Sequence, residues 1–391
     1  VGSKRPISLL LICSSYPPVL GGSEVEAQRV AAALRRRGYD VTVVCAGGPP
    51  MPAQHLWTDP YGVPVRIMAH RRPGALQDLQ FAAGVAWTIW RQRRKYQLVY
   101  FLMQGLHLAA GLPVARLLRK PILMKVSGSS IITNMTRSRA GRLELRGLRA
   151  WAYRVMVLNS GMEKEAFAAG FHKDQLCWMP NPVDTAEFAP VALAERYSLR
   201  KEFDIAAGAP VVVFVGRLAP EKELPSLLGA FVRTAQQVPN ARLVLVGDGP
   251  ERGALVEAAR SRGLADRVYF AGREPAARVL RWLQLADVFA LVSSNEGLSC
   301  SLVEAMSVGL PSVVSAIPAN VQLIDDGVHG LQAPVRDEKA LAAALTRLLS
   351  DADLRARMGQ AARKRVLENY SVDKVVDRYE ELFEGAMANH R

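Results

Sequence analysis

The sequence predicts an α/β protein built as two Rossmann-like domains, and three observations carry that reading. Short apolar runs alternate with helix-length segments, in two successive series. The runs are rich in β-branched residues and show no polar alternation, which marks strands covered on both faces. With 391 residues, half of them hydrophobic, the chain is too long for one ordinary core and sufficient for two.

The first series opens with a strand over Ile7–Cys13. A helix over Ser23–Arg37 follows, with Val25, Val30, Ala33 and Leu34 on one side, and Gly38 ends it. Further strands are expected at Val41–Cys45, Val63–Met68, Leu98–Leu102, Ile122–Val126 and Val155–Leu158. The second series sets strands at Val211–Val215, Leu243–Val246, Val268–Phe270, Val288–Val292 and Ser312–Val314. Helices are expected over Leu224–Gln237, Glu251–Arg262 and Ala276–Leu285, and from Ser301 onward. Met179-Pro-Asn-Pro-Val-Asp184 and the polar stretch to about Pro210 read as the linker. The expected domains are therefore 1–188 and 189–370, with a final helix over 371–391.

Composition narrows the function. Cys13, Cys45, Cys177 and Cys300 are far apart and form no CxxC pair, so neither a disulfide framework nor a zinc site is indicated. The first apolar run is short and reads as a buried strand, not a secretory signal; a cytoplasmic location is expected. No stretch approaches the roughly 20 apolar residues of a spanning helix. Residues 1–190 hold 25 Lys+Arg against 11 Asp+Glu, whereas 191–391 hold 25 of each, so the first half carries the whole net charge of +14. Aromatic residues are not interleaved with the arginines as stacking platforms, which argues against nucleic acid. An anionic membrane surface or an anionic acceptor fits the charge better.

Ligands of open α/β sheets bind beyond the carboxyl ends of the strands. Gly216-Arg217-Leu218 and Glu221-Lys222 follow the strand Val211–Val215. Two cations there suit a diphosphate, or else a solvated helix start. Gly247-Asp248-Gly249-Pro250 follows the next strand; it is a tight turn and misses the dinucleotide spacing. The third loop, Ser293 to Met306, places Glu296 in a loop and Glu304 on the first turns of a helix. Gly297 to Ser301 lie at that helix N-terminus, where backbone N–H groups favour phosphate. Ser301 with Glu304 also reads as a helix cap and its partner.

These pieces together resemble glycosyltransferase family 4, retaining enzymes of the GT-B fold. The matched segments are Pro17-Pro18-x-x-Gly21-Gly22-x-Glu24, Pro180-Asn-Pro-Val-Asp184, Gly216-Arg217-Leu218-x-x-Glu221-Lys222 and Val246-Gly-Asp-Gly-Pro250. Phe270-x-Gly272, Ala286-Asp287-Val288, Glu296-x7-Glu304 and Gly309-x-Pro311-x-Val313-Val314 complete the ordered set. The resemblance implies two facing Rossmann-like domains with a cleft between them and a last helix crossing back to the first. It implies a nucleotide-diphosphate sugar as donor substrate, UDP-sugar before GDP-sugar, and a hydroxyl acceptor, lipid-linked or polysaccharide. Gly21, Gly22, Gly216, Arg217 and Lys222 would serve the diphosphate, and Phe270, Gly272 and Arg273 the base. Gly297, Leu298 and Ser299 would contact phosphate or sugar. Glu296 would bind sugar hydroxyls and Glu304 the ribose.

One departure stands out. Ser127 occupies the place where many members carry a histidine, and Lys125 precedes it; His107 is the remaining candidate from a neighbouring strand end. No metal is expected, because Asp351-Ala-Asp353 lies far along the chain from the phosphate loops and Asp325-Asp326-Gly327 reads as a turn. A non-catalytic sugar-nucleotide-binding protein and a GT-B epimerase are the rival readings. Two segments suit an anionic bilayer. The first is Arg71-Arg72 with Phe81, Val85, Trp87, Ile89, Trp90, Arg91, Arg93, Arg94 and Lys95. The second is Arg137, Arg139, Arg142, Arg146 and Arg149 with Leu143, Leu145, Leu148 and Trp151.

Overall fold

The unbroken apolar runs become strands of two separate, mostly parallel sheets. The computed structural model describes residues 7–19, 21–47, 55–68 and 74–389. The chain divides into two units, Val1–Pro182 with Val372–Arg391, and Val183–Ser371. The expected boundary at 188/189 thus falls inside the second unit.

The first unit contains β1 (Ser8–Cys13), β2 (Asp40–Cys45), β3 (Leu56–Thr58) and β4 (Pro64–Ile67). It continues with β5 (Leu98–Leu102), β6 (Ile122–Lys125), β7 (Arg154–Val157) and β8 (Leu176–Trp178). Its helices are α1 (Gly22–Arg36), α2 (Ala75–Arg91), α3 (Leu106–Leu117), α4 (Ile131–Arg137), α5 (Arg139–Trp151) and α6 (Ser160–Ala168). The strand order is β3-β4-β2-β1-β5-β6-β7-β8, parallel throughout except for β3 against β4.

The second unit contains α7 (Leu193–Glu202), β9 (Val211–Val215), α8 (Leu224–Gln237), β10 (Arg242–Val246) and α9 (Arg252–Ser261). Next come β11 (Val268–Gly272), α10 (Ala276–Leu285), β12 (Val288–Leu291), α11 (Cys300–Ser307) and β13 (Ser312–Ser315). It closes with α12 (Pro318–Leu323), β14 (Gly330–Ala333), α13 (Glu338–Ser350) and α14 (Ala352–Asn369). Its parallel strands run in the order β11-β10-β9-β12-β13-β14. Each sheet therefore has one reversal of strand order, between β1 and β5 and between β9 and β12, where crevices open at the strands' carboxyl ends.

The last helix, α15 (Val372–Ala388), belongs to the first unit. Its Val375, Tyr379 and Phe383 share one buried cluster with Leu9, Leu11, Val41 and Val43 of the sheet. The Tyr379 and Tyr100 hydroxyls pair at 2.9 Å inside it. Burying rings and aliphatic chains of this size contributes about 1.5–3 kcal/mol each, which fixes the returning helix.

Two further elements correct the sequence reading. The expected linker contains α7, whose buried Arg200 donates to Asp287 Oδ2 at 2.6 Å and to the Leu285 carbonyl at 3.1 Å. The segment after Asp184 is thus part of the second unit. Lys125, read only as the residue near Ser127, ends β6 in a completely buried ion pair with Glu26 of α1. Lys125 Nζ also donates to the Pro180 carbonyl at 3.3 Å, and Arg29 of α1 reaches the Pro182 carbonyl at 3.5 Å.

Candidate donor site

At the second sheet's reversal, two loops leave adjacent strands and meet. After β9 the chain runs through Gly216 and Arg217 to a short 3-10 turn at Pro220–Lys222. After β12 it runs through Ser293 to Ser299 and enters α11. Lys222 Nζ bonds Glu296 Oε1 at 2.5 Å across these loops. The Ser293 hydroxyl donates to the same oxygen at 2.6 Å, and Ser294 N donates to the Glu221 carbonyl at 2.9 Å. Lys222 and Glu296 keep 16% and 10% of their side chains exposed, so the pair sits at the rim rather than in the core.

Arg217 is the more open cation. Its side chain is 67% exposed and its Nη2 bonds Glu221 Oε1 at 2.6 Å. Burial raises the Glu221 carboxyl, but its own backbone N–H and Arg217 outweigh that and hold it below the usual carboxylate range.

The start of α11 is tied to the same strand ends. Ser299, not Ser301, is the cap: its Oγ accepts from Leu302 N at 3.3 Å. Ser301 Oγ instead donates to the Val215 carbonyl at the end of β9, at 2.9 Å. Glu304, one turn further on, is buried. The sequence motif pointed to Ser301 as the cap; the strand-end carbonyl of Val215 takes that hydroxyl and leaves the cap to Ser299.

The glycine turns have a different job from the one their motif suggests. A Cβ at Gly247 would overlap the Gly216 carbonyl, and one at Gly249 the Leu218 carbonyl. Gly247, with φ 138°, is also in a region that favours glycine. Leu218 N donates to the Asp248 carbonyl and Glu251 N to the Leu218 carbonyl, both at 3.0 Å. The glycines therefore admit one loop's backbone against the other. Gly247 N bonds the Gly272 carbonyl at 2.8 Å, which brings the Phe270–Arg273 segment of edge strand β11 alongside.

In the first unit, Gly21 is the extended residue before α1 and Gly22 its first helical residue. His107 lies on the first turn of α3, after β5. It is buried, and its ring is 5.0 Å from that of Phe81. Burial lowers its pKa to about 4, against a smaller opposing effect of a hydrogen bond to the Met103 backbone, so the imidazole is neutral at pH 7. Its Nε2 has no hydrogen-bond partner.

Comparison with known proteins fits this arrangement. Residues 195–365 match the family "Glycosyl transferases group 1", and residues 20–187 match "Glycosyltransferase Family 4". The chain is therefore a member of the group 1/family 4 glycosyltransferases. It is 28% identical over 377 residues to the 2-deoxystreptamine N-acetyl-D-glucosaminyltransferase of Streptomyces fradiae, covering 91% of this chain and 89% of that protein. It is 29% identical over 185 residues to the N-acetyl-alpha-D-glucosaminyl L-malate synthase of Bacillus anthracis. That match covers 47% of this chain and 48% of the synthase, so the chain aligns with about half of that relative. The structure of Anabaena HepE in complex with UDP and glucose superposes with a TM-score of 0.79 at 20% identity, covering 97% of this chain and 100% of HepE. That likeness shows the GT-B fold.

Within this glycosyltransferase fold the other features fall into place. A cavity lined by Arg196, Arg200, Asp287 and Arg355 lies at the amino ends of β9 and β12, away from the Lys222–Glu296 loops. Arg196 and Arg200 are held there by Asp287 and by backbone carbonyls. Among the described residues no cluster of three His, Cys, Asp or Glu could hold a metal ion. Asp351 caps α14 by accepting from Leu354 N at 2.8 Å, and Asp325 pairs with Arg365 at 2.6 Å. Ser293, just beyond the end of β12, is the site residue whose role sequence reasoning missed, and Ser301 is one whose role it misassigned as the cap.

Proposed function

We propose that this chain is a retaining glycosyltransferase that moves a sugar from a nucleotide-diphosphate sugar to a hydroxyl acceptor. The observation that carries the reading is the Lys222–Glu296 pair joining the two loops at the second sheet's reversal. An ammonium has three donor hydrogens. One is committed to Glu296, which leaves two for diphosphate oxygens. Arg217, exposed and paired with Glu221, adds a planar fork to the same charge. Glu296, oriented by Ser293 and Lys222, accepts from sugar hydroxyls, and Glu304 from the ribose. The amides at Gly297–Ser299 and the Gly216 turn complete the phosphate contacts, and Phe270, Gly272 and Arg273 form the base side. Gly21 and Gly22 present the start of α1 to an anionic group.

No side chain of the site is placed as a covalent nucleophile. The anomeric carbon–oxygen bond to the diphosphate breaks, a bond to the acceptor oxygen forms, and the acceptor proton passes to the leaving diphosphate on the same face. Arg217 and Lys222 stabilise the charge that develops there. His107 could serve the acceptor only as a neutral imidazole. UDP is the favoured nucleotide, supported by the UDP-bound structural neighbour HepE, and the acceptor is lipid-linked or a polysaccharide.

A thermal-shift panel of UDP, GDP and ADP, each with and without excess EDTA, tests this reading. A ligand bound at about 100 times its Kd should add roughly 2.7 kcal/mol of apparent stability. UDP is expected to give the largest shift, unchanged by EDTA. No shift with any nucleotide would sink the proposal, and a shift abolished by EDTA would restore a metal to it.

A further inference from the structure

Helix α2 is apolar almost all the way round, yet only one side of it is covered. Phe81, Ala82, Val85 and Ile89 are buried against the first unit. Positions 76, 79, 83, 87 and 90 recur at spacings of three and four and form one stripe on the other side. They are Leu76 (53% exposed), Leu79 (59%), Ala83, Trp87 (59%) and Trp90 (44%). Asp78 and Arg91 are the helix's sole charges. A helix of this kind is ordinarily buried on both sides.

Helix α3, packed against α2, repeats the pattern. Gly111 allows the close approach, since a Cβ there would lie 3.0 Å from Ile89 Cδ1. Leu106, Pro113 and Leu117 point outward at spacings of seven and four, and Leu117 is 79% exposed. Of the apolar residues the sequence reading set at a bilayer, Phe81, Val85, Ile89, Leu145 and Leu148 belong instead to the core. Leu76, Leu79, Leu106 and Leu117 take their place. Arg71 and Arg72 lie outside the described residues.

The flanking charge is predominantly positive. Residues 74–151 hold 13 Lys+Arg, of which Lys125 is buried, against the exposed Asp78 and the buried Glu144. Arg91 ends α2 and Arg94 and Lys95 follow it, while Arg116 is in the last turn of α3 and Arg119 just beyond, all exposed. The Arg93 guanidinium lies 4.9 Å above the Trp90 ring, and the Trp87 and Trp90 rings are 5.3 Å apart. On α5, which packs on α3, Arg139, Arg142, Arg146 and Arg149 are exposed on the outer face.

We propose that the outer faces of α2 and α3 dock on an anionic lipid bilayer, with the stripe in the acyl–headgroup boundary and the arginines among the headgroups. The stripe from Leu76 to Trp90 is roughly 21 Å long, which suits a helix lying in the plane of the interface. Among the described residues no helix is long and apolar enough to cross a membrane. Tryptophans bordered by arginines match the boundary where an apolar ring and a polar edge are both satisfied. The predominantly positive rim selects anionic headgroups over a neutral surface. The inference goes beyond the transfer reaction and does not depend on the acceptor being a lipid.

Co-sedimentation of the full chain with vesicles tests it, using phosphatidylcholine alone and equal parts phosphatidylcholine and phosphatidylglycerol, across a salt series. The parent chain should bind the anionic vesicles, release with rising salt, and ignore the neutral ones. The triple variant Leu79→Gln/Trp87→Gln/Trp90→Gln should lose about tenfold or more in partitioning. Its circular dichroism and UDP-induced thermal shift should stay those of the parent, because the three positions are exposed and lie outside the donor site. A parent that fails to bind anionic vesicles at low salt overturns the proposal, as does a variant that binds as well as the parent. A dimer mass by light scattering without lipid, reduced to a monomer in the variant, would assign the stripe to a second copy and likewise overturn it. A missing UDP shift in the parent would count against the donor reading alone.

Discussion

Two Lys–Glu pairs join strand ends to neighbouring elements in this protein, and their surroundings differ. Lys125 and Glu26 in the first unit have 0% and 1% of their side chains exposed. Lys222 and Glu296 in the second have 16% and 10%. The sealed pair ties β6 to α1, and Lys125 also holds the Pro180 carbonyl. Burial outweighs Lys125 and raises the Glu26 carboxyl above its usual range, and Glu26 Oε2 has no hydrogen-bond partner. Nothing solvated can exchange with that pair. The rim pair can trade part of its bonding for an incoming anion, because solvent reaches it. The same two residue types thus make a structural clamp in one unit and a candidate binding group in the other.

The sharpest way to break this contrast is to remove each lysine. Lys125→Met should destabilise the chain by about 3–5 kcal/mol, since it strands a buried carboxyl. Adding Glu26→Leu should return most of that loss, because no unpaired group remains. Chemical denaturation of both variants checks this, and UDP affinity of whatever remains folded should be unchanged. A double variant no more stable than Lys125→Met would refute the clamp.

Lys222→Ala should leave the fold nearly intact and instead weaken UDP binding, with Arg217→Ala doing the same to a lesser degree. On turnover with a UDP-sugar, the loss should be about 10²–10³-fold for Lys222→Ala, typical of a group aimed at developing charge. Glu296→Gln should lower turnover more than it weakens UDP binding, whereas Glu304→Ala should weaken UDP binding first. Calorimetric titration of UDP separates the two glutamates; equal effects on affinity would show that their roles are misassigned.

How much of this was legible beforehand follows from the range of each interaction. The strands were readable because β-branched runs are local signals, and β1, β5, β9 and β12 all fall within their expected spans. The loops holding Arg217, Lys222 and Glu296 were readable because charge after a buried strand is also local. The short edge strands β3, β8 and β14 were missed, having too few residues to show a period. Lys125 found its partner 99 residues away, and no local pattern encodes such a distance. The outer face of α2 was legible only in part: Trp87 and Trp90 read as bilayer residues, but in a mostly apolar helix the pattern could not separate the exposed Leu76 and Leu79 from the buried Phe81, Val85 and Ile89.

The smallest expected effect concerns acidity in the first unit and sharpens the contrast from its other side. Glu144 of α5 is buried, and burial pushes its pKa up to about 7, against a smaller lowering by a hydrogen bond from the Gly105 backbone. In the unfolded chain its pKa is about 4.3. The folded state therefore binds the extra proton between these values, so this group's contribution is full below the unfolded pKa and is lost as pH rises through about 7. His107 runs the opposite way: with its folded pKa lowered to about 4, its contribution is full above the unfolded value near 6.5 and is lost as pH falls toward 4. Glu144→Gln keeps an acceptor for the Gly105 N–H and removes only the alkaline loss. It should raise stability at pH 8 by about 2 kcal/mol, after allowance for screening by solvent, and change little at pH 4.5. Melting curves of parent and variant across that range should diverge as pH climbs through 7, while the UDP-induced shift, read at the proposed donor site away from Glu144, should be the same in both. A variant no more stable than the parent at pH 8 would mean that Glu144 is solvated when ionised, and that the first unit is less sealed than its buried Lys125–Glu26 pair implies.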